Sequence, residues 1–276
     1  GGGDLLPTEE GFINRKKAKD HWRLACQVKV REDMEIKVPD EVFSTKKWEC
    51  EVVSNDNVAT FIKEFIVKLP DGEELDFKPG GYIQIEIPKY HLNSGKDYDV
   101  EDIYRDDWDK IKAFDLITKN SEKVIRAYSM ANYPAEGDIV MLNVRIATPP
   151  WDRKKDRFKK VPSGISSSFI FSKKAGDKVT VSGPYGEFFI NESESEMMYI
   201  GGGAGMAPMR SHIMHLFHTL KTKRKVTFWY GARSCREIFY EEDFRAIEKE
   251  FPNFTFNIAL SEALPGDKWG GMTGFI

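Results

Sequence analysis

From Lys47 onward, apolar and polar positions alternate in short runs rich in Val, Ile, Phe and Tyr. Such runs occupy Trp48 to Val53, Val58 to Val67 and Tyr82 to Ile87, and they are broken by Asn55-Asp56-Asn57, Asp71-Gly72 and Pro79-Gly80-Gly81. The spacing predicts strands separated by turns. Lys123 to Met130, Ile139 to Ile146 and Val179 to Ser182 continue the pattern, which predicts a six-stranded antiparallel barrel. After Gly183-Pro184-Tyr185-Gly186 turns the chain, the period changes. Strands at Met197 to Ile200, Val226 to Tyr230 and Phe254 to Leu260 alternate with helical patterns at Met209 to Leu220 and Glu241 to Glu250. Strands alternating with helices imply a parallel sheet with right-handed crossovers. The expected fold class is therefore β barrel plus α/β. Its divisions are a short N-terminal segment over 1–38, the barrel over 39–192 and a nucleotide-binding domain over 193–276.

One stretch interrupts the barrel pattern, an insert over 93–120. Between Asp97 and Asp115 it holds eight acids against three bases, with Tyr98, Tyr104, Trp108 and Phe114 interleaved. It is either a solvated acidic loop or a docking surface or lid, because a long loop with aromatic anchors packs against something. The basic loop Arg153 to Lys160 is a solvated run or an attractor of an acidic partner.

The candidate chemistry lies in four stretches. In Arg126-Ala127-Tyr128-Ser129-Met130, strand alternation puts Arg126 and Tyr128 on one face, with Ser129 turned away or at the strand end. A guanidinium can fork onto a pyrophosphate, a phenol ring can cover an isoalloxazine and a hydroxyl can bond the N5 edge of a flavin; an isolated stretch of this kind can equally be strand surface. Gly164-Ile165-Ser166-Ser167-Ser168 reads as the start of a short helix whose first-turn amides and hydroxyls face outward, or as N-capping serines. Gly201-Gly202-Gly203-Ala204-Gly205 leaves one strand and enters a helix, where a dinucleotide pyrophosphate would sit. Tyr230-Gly231-Ala232-Arg233 ends the next strand. There an acid would accept ribose hydroxyls, whereas Arg233 and Arg236 could hold a 2'-phosphate; Glu237 and Tyr240 are candidate ribose contacts. His212, His215 and His218 recur every three residues along the intervening helix, but no carboxylate or cysteine joins them, which argues against a metal.

Taken in order, these four stretches resemble the ferredoxin-NADP reductase superfamily. Over almost its whole length the chain is similar, within it, to the family of F subunits of sodium-translocating NADH:quinone oxidoreductases. The resemblance implies FAD held in the barrel by Arg126, Tyr128, Ser129, Gly164, Ser166, Ser167 and Ser168, with Tyr128 and Ser129 at the reacting flavin. It implies NADH held by Gly202, Gly203, Gly205 and Arg233, and electrons passed singly through a [2Fe-2S] cluster toward quinone. Partners would be the other subunits of a complex at the cytoplasmic face of the bacterial inner membrane, and a similar insert is a feature of this family. Trp22 to Val28 resembles the segment around the fourth cysteine of a plant-type ferredoxin, making Cys26 a cluster ligand in a full-length parent and a small buried hydrophobe in this chain. Gly1-Gly2-Gly3 reads as a cut end, and the nucleotide domain as short of its final segment, so that a soluble fragment without its cluster is expected. The alternatives are the reductase component of a multicomponent oxygenase, or a cofactor-free docking module.

Composition narrows this further. With 276 residues the chain is long enough for two cores, and a net charge of −3 argues against nucleic acid as partner. No apolar run is long enough to span a bilayer. Cys26, Cys50 and Cys235 are too few and too scattered for a disulfide framework.

Overall fold

A computed structural model describes residues 4–15, 22–37, 45–152 and 154–276, without the side chains of Phe12 and Cys26. Two compact units result, Gly1–Phe43 and Ser44–Ile276. In the first, helix α1 (Pro7–Arg15) carries Glu9, whose carboxylate accepts from Arg23 Nε at 2.8 Å and Nη2 at 2.7 Å and from the Leu6 and Leu24 amides. A 3₁₀ turn, Ala25–Gln27, follows.

The second unit opens with the barrel: β1 (Lys46–Ala59), β2 (Ile62–Lys68) and β3 (Tyr82–Ile87). The insert follows, with β4 (Tyr90–Asn93), α2 (Ser94–Asp97), α3 (Asp102–Lys110) and β5 (Ile117–Asn120), β4 and β5 pairing as a hairpin. Next come β6 (Val124–Ser129), β7 (Ile139–Arg145), the small pair β8 (Trp151–Asp152) and β9 (Arg157–Phe158), helix α4 (Ile165–Phe171) and β10 (Lys178–Tyr185). The strands order as β6-β3-β10-β1-β2-β7, all antiparallel, and a bridge between Met130 and Leu142 joins the two outer strands. Alternate residues of β1, β2 and β3 point inward, so Cys50, Val52, Phe65, Val67, Ile83, Ile85 and Ile87 fill one core.

The nucleotide lobe comprises β11 (Met197–Gly202), α5 (Met206–Met214), β12 (Val226–Ala232), α6 (Glu241–Glu250), β13 (Phe254–Leu260) and β14 (Met272–Thr273). The strands lie side by side in chain order and pair in parallel. Phe228, Tyr230, Phe244, Phe256 and Ile258 pack between sheet and helices.

Three expectations need correction. Asn55-Asp56-Asn57 does not break a strand. It lies inside β1 and pairs with Phe65 to Lys63 of β2, and the turn falls at Thr60-Phe61. Asn55 sits there because its amide donates to Ile170 O and Lys173 O, both at 2.8 Å, capping the end of α4. Gly183-Pro184-Tyr185 is strand as well, with Tyr185 opposite Tyr82. The insert is no solvated loop: Trp108 is fully buried, donates Nε1–H to Thr60 O at 2.7 Å and packs among Phe61, Tyr98, Phe114 and Phe171.

Candidate functional site

On β6 the register sets Arg126 opposite Ile85, Tyr128 opposite Ile83 and Ser129 opposite Tyr82. Arg126 and Ser129 are exposed and Tyr128 is half-buried. Arg126 donates to the neighbouring Ile125 carbonyl at 2.8 Å, and among the described residues its guanidinium meets no carboxylate. Tyr128 donates its hydroxyl to Ser166 Oγ at 2.7 Å, and burial raises its phenol pKa, which keeps the proton in place. Beside Ser129, Tyr82 and Tyr185 stack with centroids 5.3 Å apart. Sequence alone hides this half-buried aromatic pair, because Gly183-Pro184-Tyr185-Gly186 has the makeup of a turn.

The serines of α4 do not face outward. Ser166, Ser167 and Ser168 are all buried. Ser167 Oγ accepts from the Ala147 amide at 3.0 Å and donates to Gly164 O at 3.3 Å, while Ser168 Oγ donates to Thr118 Oγ1 at 3.3 Å. Steps of about 100° around the axis prevent three successive hydroxyls from sharing one face, and this short helix lies against the barrel wall. Gly164 is required by packing, since a Cβ there would stand 2.6 Å from Ala147 Cβ.

Between the lobes lies a cleft of about 630 Å³. Ala59, Phe61, Ile62 and Arg145 of the barrel form one wall, and Gly201 to Gly205 with Gly231, Arg233 and Glu237 form the other. The glycines of the turn answer different demands. A Cβ on Gly202 would come within 2.7 Å of Gly231 O; Gly203 has φ +54°; at Gly205 a Cβ would meet nothing within 4 Å. Close strand packing, a left-handed bend and an open approach to backbone amides therefore follow one another at the end of β11. Arg145 is exposed and, among the described residues, has no ion pair or side-chain hydrogen bond. Its only signal in the sequence is a cation ending an apolar strand.

Several polar candidates prove to join the lobes instead. Glu237 accepts from the Thr60 amide at 3.1 Å and from Thr60 Oγ1, and Tyr240 donates to Glu64 and receives Asn143 Nδ2 at 2.7 Å. Glu237 still lines the cleft, whereas the Tyr240 hydroxyl is engaged by the barrel. Arg233 borders the cleft but donates to Glu237 Oε1 at 2.7 Å and to Asp107 Oδ2 at 3.2 Å. Arg236 bonds Asp106 and Asp107. Buried His212 places Nε2 3.0 Å from Pro79 O and Phe188 O, and burial lowers its pKa. Among the described residues no group of three His, Cys, Asp or Glu could hold a metal.

Residues 112–190 match the oxidoreductase FAD-binding domain family, and residues 199–276 match the oxidoreductase NAD-binding domain family. The whole chain is 59% identical to the F subunit of the Na(+)-translocating NADH-quinone reductase of Shewanella putrefaciens and spans 89% of that protein. The protein of the same name from Serratia proteamaculans is also 59% identical over the whole chain, which spans 66% of its length. The chain belongs to the family of F subunits of Na(+)-translocating NADH-quinone reductases. Its fold is shared more widely. An Amycolatopsis cytochrome P450 reductase, 23% identical, superposes over 84% of this F-type chain and 56% of its own with a TM-score of 0.59. The FAD/NAD-binding domain of a Vibrio cholerae nitric oxide dioxygenase, 21% identical, does so over 83% and 79% with a TM-score of 0.58. Of the residues expected to bind cofactors in this member of the family, Arg126, Tyr128, Ser129 and Ser166 gather on β6 and α4, and Gly202, Gly203, Gly205 and Arg233 gather in the cleft. Cys26 falls in the 3₁₀ turn of the first unit, and its side chain lies outside the described residues. Among the described residues no helix is long and apolar enough to cross a membrane.

Proposed function

We propose that the chain takes hydride from NADH onto FAD and delivers the electrons within a sodium-translocating respiratory complex, with quinone as the eventual acceptor. FAD, when bound, supplies the exchange between two-electron hydride chemistry and one-electron transfer. A parent complex at the cytoplasmic face of a bacterial inner membrane accords with the family. Onward passage of single electrons through a [2Fe-2S] cluster, with Cys26 among its ligands in a full-length parent, is part of the same proposal.

The donor set on β6 suits a flavin pyrophosphate. Arg126 is a cation without a carboxylate partner among the described residues, and Tyr128, already tied to Ser166, brings α4 to the same surface. Arg126 would neutralise the diphosphate and Tyr128 would cover the ring system. Ser129, exposed beside the Tyr82–Tyr185 stack, would donate its hydroxyl to the flavin's N5 edge. Gly164, Ser167 and Ser168 keep α4 in place from behind. Across the cleft, Gly202, Gly203 and Gly205 would admit the NADH pyrophosphate to the β11–α5 turn, with Arg145 facing it from the barrel. The three-part division at 38 and 192 is part of the same proposal.

The observation that carries the reading is the shared cleft, with the glycine turn on one wall and the barrel on the other. The test begins with colour. The purified chain should be yellow and should bleach with NADH in the absence of oxygen. Arg126→Ala removes a charged hydrogen-bond donor worth about 1.5–3 kcal/mol, so the FAD dissociation constant should rise roughly 10- to 150-fold. Full flavin occupancy in Arg126→Ala at limiting FAD would overturn the assignment.

A further inference from the structure

The acidic insert joins the nucleotide lobe through ion pairs. Helix α3 presents Asp106 and Asp107 to the segment that follows β12. Asp107 Oδ2 lies 2.9 Å from Arg236 Nη2 and 3.2 Å from Arg233 Nη2, and Asp106 Oδ1 lies 2.9 Å from Arg236 Nη1. Glu237 closes the group at 2.7 Å from Arg233, whose guanidinium also lies over the Phe61 ring at 5.7 Å. Two guanidinium groups thus face three carboxylates, leaving the cluster one net negative charge, and Arg233 and Glu237 of this cluster line the cleft.

The place matters because of what such sheets bind there. In a dinucleotide-binding parallel sheet, the end of the strand next to the phosphate turn meets the adenosine ribose. An acid there receives the ribose hydroxyls of NADH, and a free arginine accommodates the 2'-phosphate of NADPH. Arg233 and Arg236 are the arginines at that strand end, and both are already engaged by carboxylates from α3. A 2'-phosphate would have to displace Asp107 and come to rest within a cluster of surplus negative charge, whereas a ribose hydroxyl meets no such repulsion.

We infer that the acidic insert sets the nicotinamide cofactor preference: Asp106 and Asp107 occupy Arg233 and Arg236 and so exclude a 2'-phosphorylated nucleotide. This rests on the proposed binding of a nicotinamide dinucleotide in the cleft. Asp106 and Asp107 act through the arginines and are positioning residues. Trp108, next to them in α3, is fully buried in the barrel core, so the carboxylates are presented from a fixed point.

Calorimetric titration of the full chain with ADP-ribose and with 2'-phospho-ADP-ribose tests this without relying on flavin chemistry. Asp106→Asn/Asp107→Asn keeps the shape of both side chains and removes their charge. The affinity ratio of the 2'-phosphorylated ligand to the plain one should rise roughly tenfold or more, since removing even one unit charge a few ångströms away is worth about that and this variant removes two. Adding Arg233→Gln to that variant should return the ratio toward that of the unaltered protein, a reversal that general loosening of the insert would not produce. A ratio that stays within twofold in Asp106→Asn/Asp107→Asn, while ADP-ribose still binds, overturns the inference and leaves the nucleotide site standing. If the unaltered protein binds neither ligand, the nucleotide reading itself fails and this inference falls with it.

Discussion

Trp108→Ala probes whether the insert is part of the core or a decoration on it. The indole is fully buried, with ring centroids 5.3 Å from Phe114, 5.5 Å from Phe61 and 5.9 Å from Phe171, and Nε1–H bonds Thr60 O at 2.7 Å. Truncating a buried Trp to Ala costs about 3–5 kcal/mol through lost transfer energy and the cavity left behind. For a unit of this size each kcal/mol lowers the melting temperature by roughly 2–4 °C, so a drop of about 6–20 °C is expected. Trp108→Phe retains most of the ring volume but leaves the buried Thr60 carbonyl with only the long 3.4 Å bond from Asn57 Nδ2, a loss of about 1–3 kcal/mol, and should melt between Trp108→Ala and the unaltered protein. Thermal unfolding followed by far-ultraviolet circular dichroism, with FAD present in excess, reads both variants. Thr60 also donates to Glu237, so the perturbation reaches the cleft by a single residue. If Trp108→Ala melts within about 2 °C of the unaltered protein, the insert contributes nothing to the core and the packing argument fails.

Two more expectations can be checked. Arg145→Ala should raise the KM for NADH by about tenfold, as loss of a charged contact to a pyrophosphate implies, while FAD content stays normal; an unchanged KM would remove Arg145 from the nucleotide site. In the first unit, hydrogen bonds from Arg23 and from the Leu6 and Leu24 amides hold the Glu9 carboxyl down to about 2. A carboxyl depressed in the folded state stabilises it above the ordinary value near 4.5 and loses that contribution as pH falls toward 2, so protease cleavage around residues 7–24 should accelerate across that window in the unaltered chain and show no such dependence in Glu9→Gln.

Much of the architecture could be read from the pattern of side chains. Alternation in Tyr82 to Ile87 and in Ile139 to Ile146 identified barrel strands, and the glycine turn after Met197 to Ile200 located the start of the nucleotide lobe. What misled was local composition where a distant partner decides the conformation. Asn55-Asp56-Asn57 has the makeup of a turn, yet Asn55 is held in a strand by carbonyls more than 110 residues away. Ser167 and Ser168 have the makeup of an anion cradle, yet their hydroxyls satisfy Ala147 and Thr118 inside the fold. Glu237 and Tyr240 lie where ribose contacts were expected. Only the spatial arrangement reveals that Thr60, Glu64 and Asn143 of the barrel claim them. Arg145 was missed for the converse reason: one cation at a strand end carries no signal until the opposing wall is seen.

Glu237 and Tyr240 share a role with Arg210 and His212. Glu237 with Thr60, Tyr240 with Glu64 and Asn143, Arg210 with Glu136 and the Ala131 carbonyl, and His212 with the Pro79 and Phe188 carbonyls all cross from the nucleotide lobe to the barrel or to the stretch that follows it. Arg210, His212 and Glu237 are each less than 10% exposed, so a partner lost on one side leaves a polar group buried and unsatisfied on the other. An apolar interface would tolerate sliding, because dispersion and burial change little with small displacements. Directional hydrogen bonds from several strands and helices do not, since each weakens steeply as its angle departs from linear. Hydride transfer needs donor and acceptor atoms about 3–3.5 Å apart, and a misplacement of about 1 Å lowers the rate by orders of magnitude. In the proposed reaction the flavin rests on one lobe and the nicotinamide on the other, so the polar network that locks the lobes together is what makes that distance reproducible.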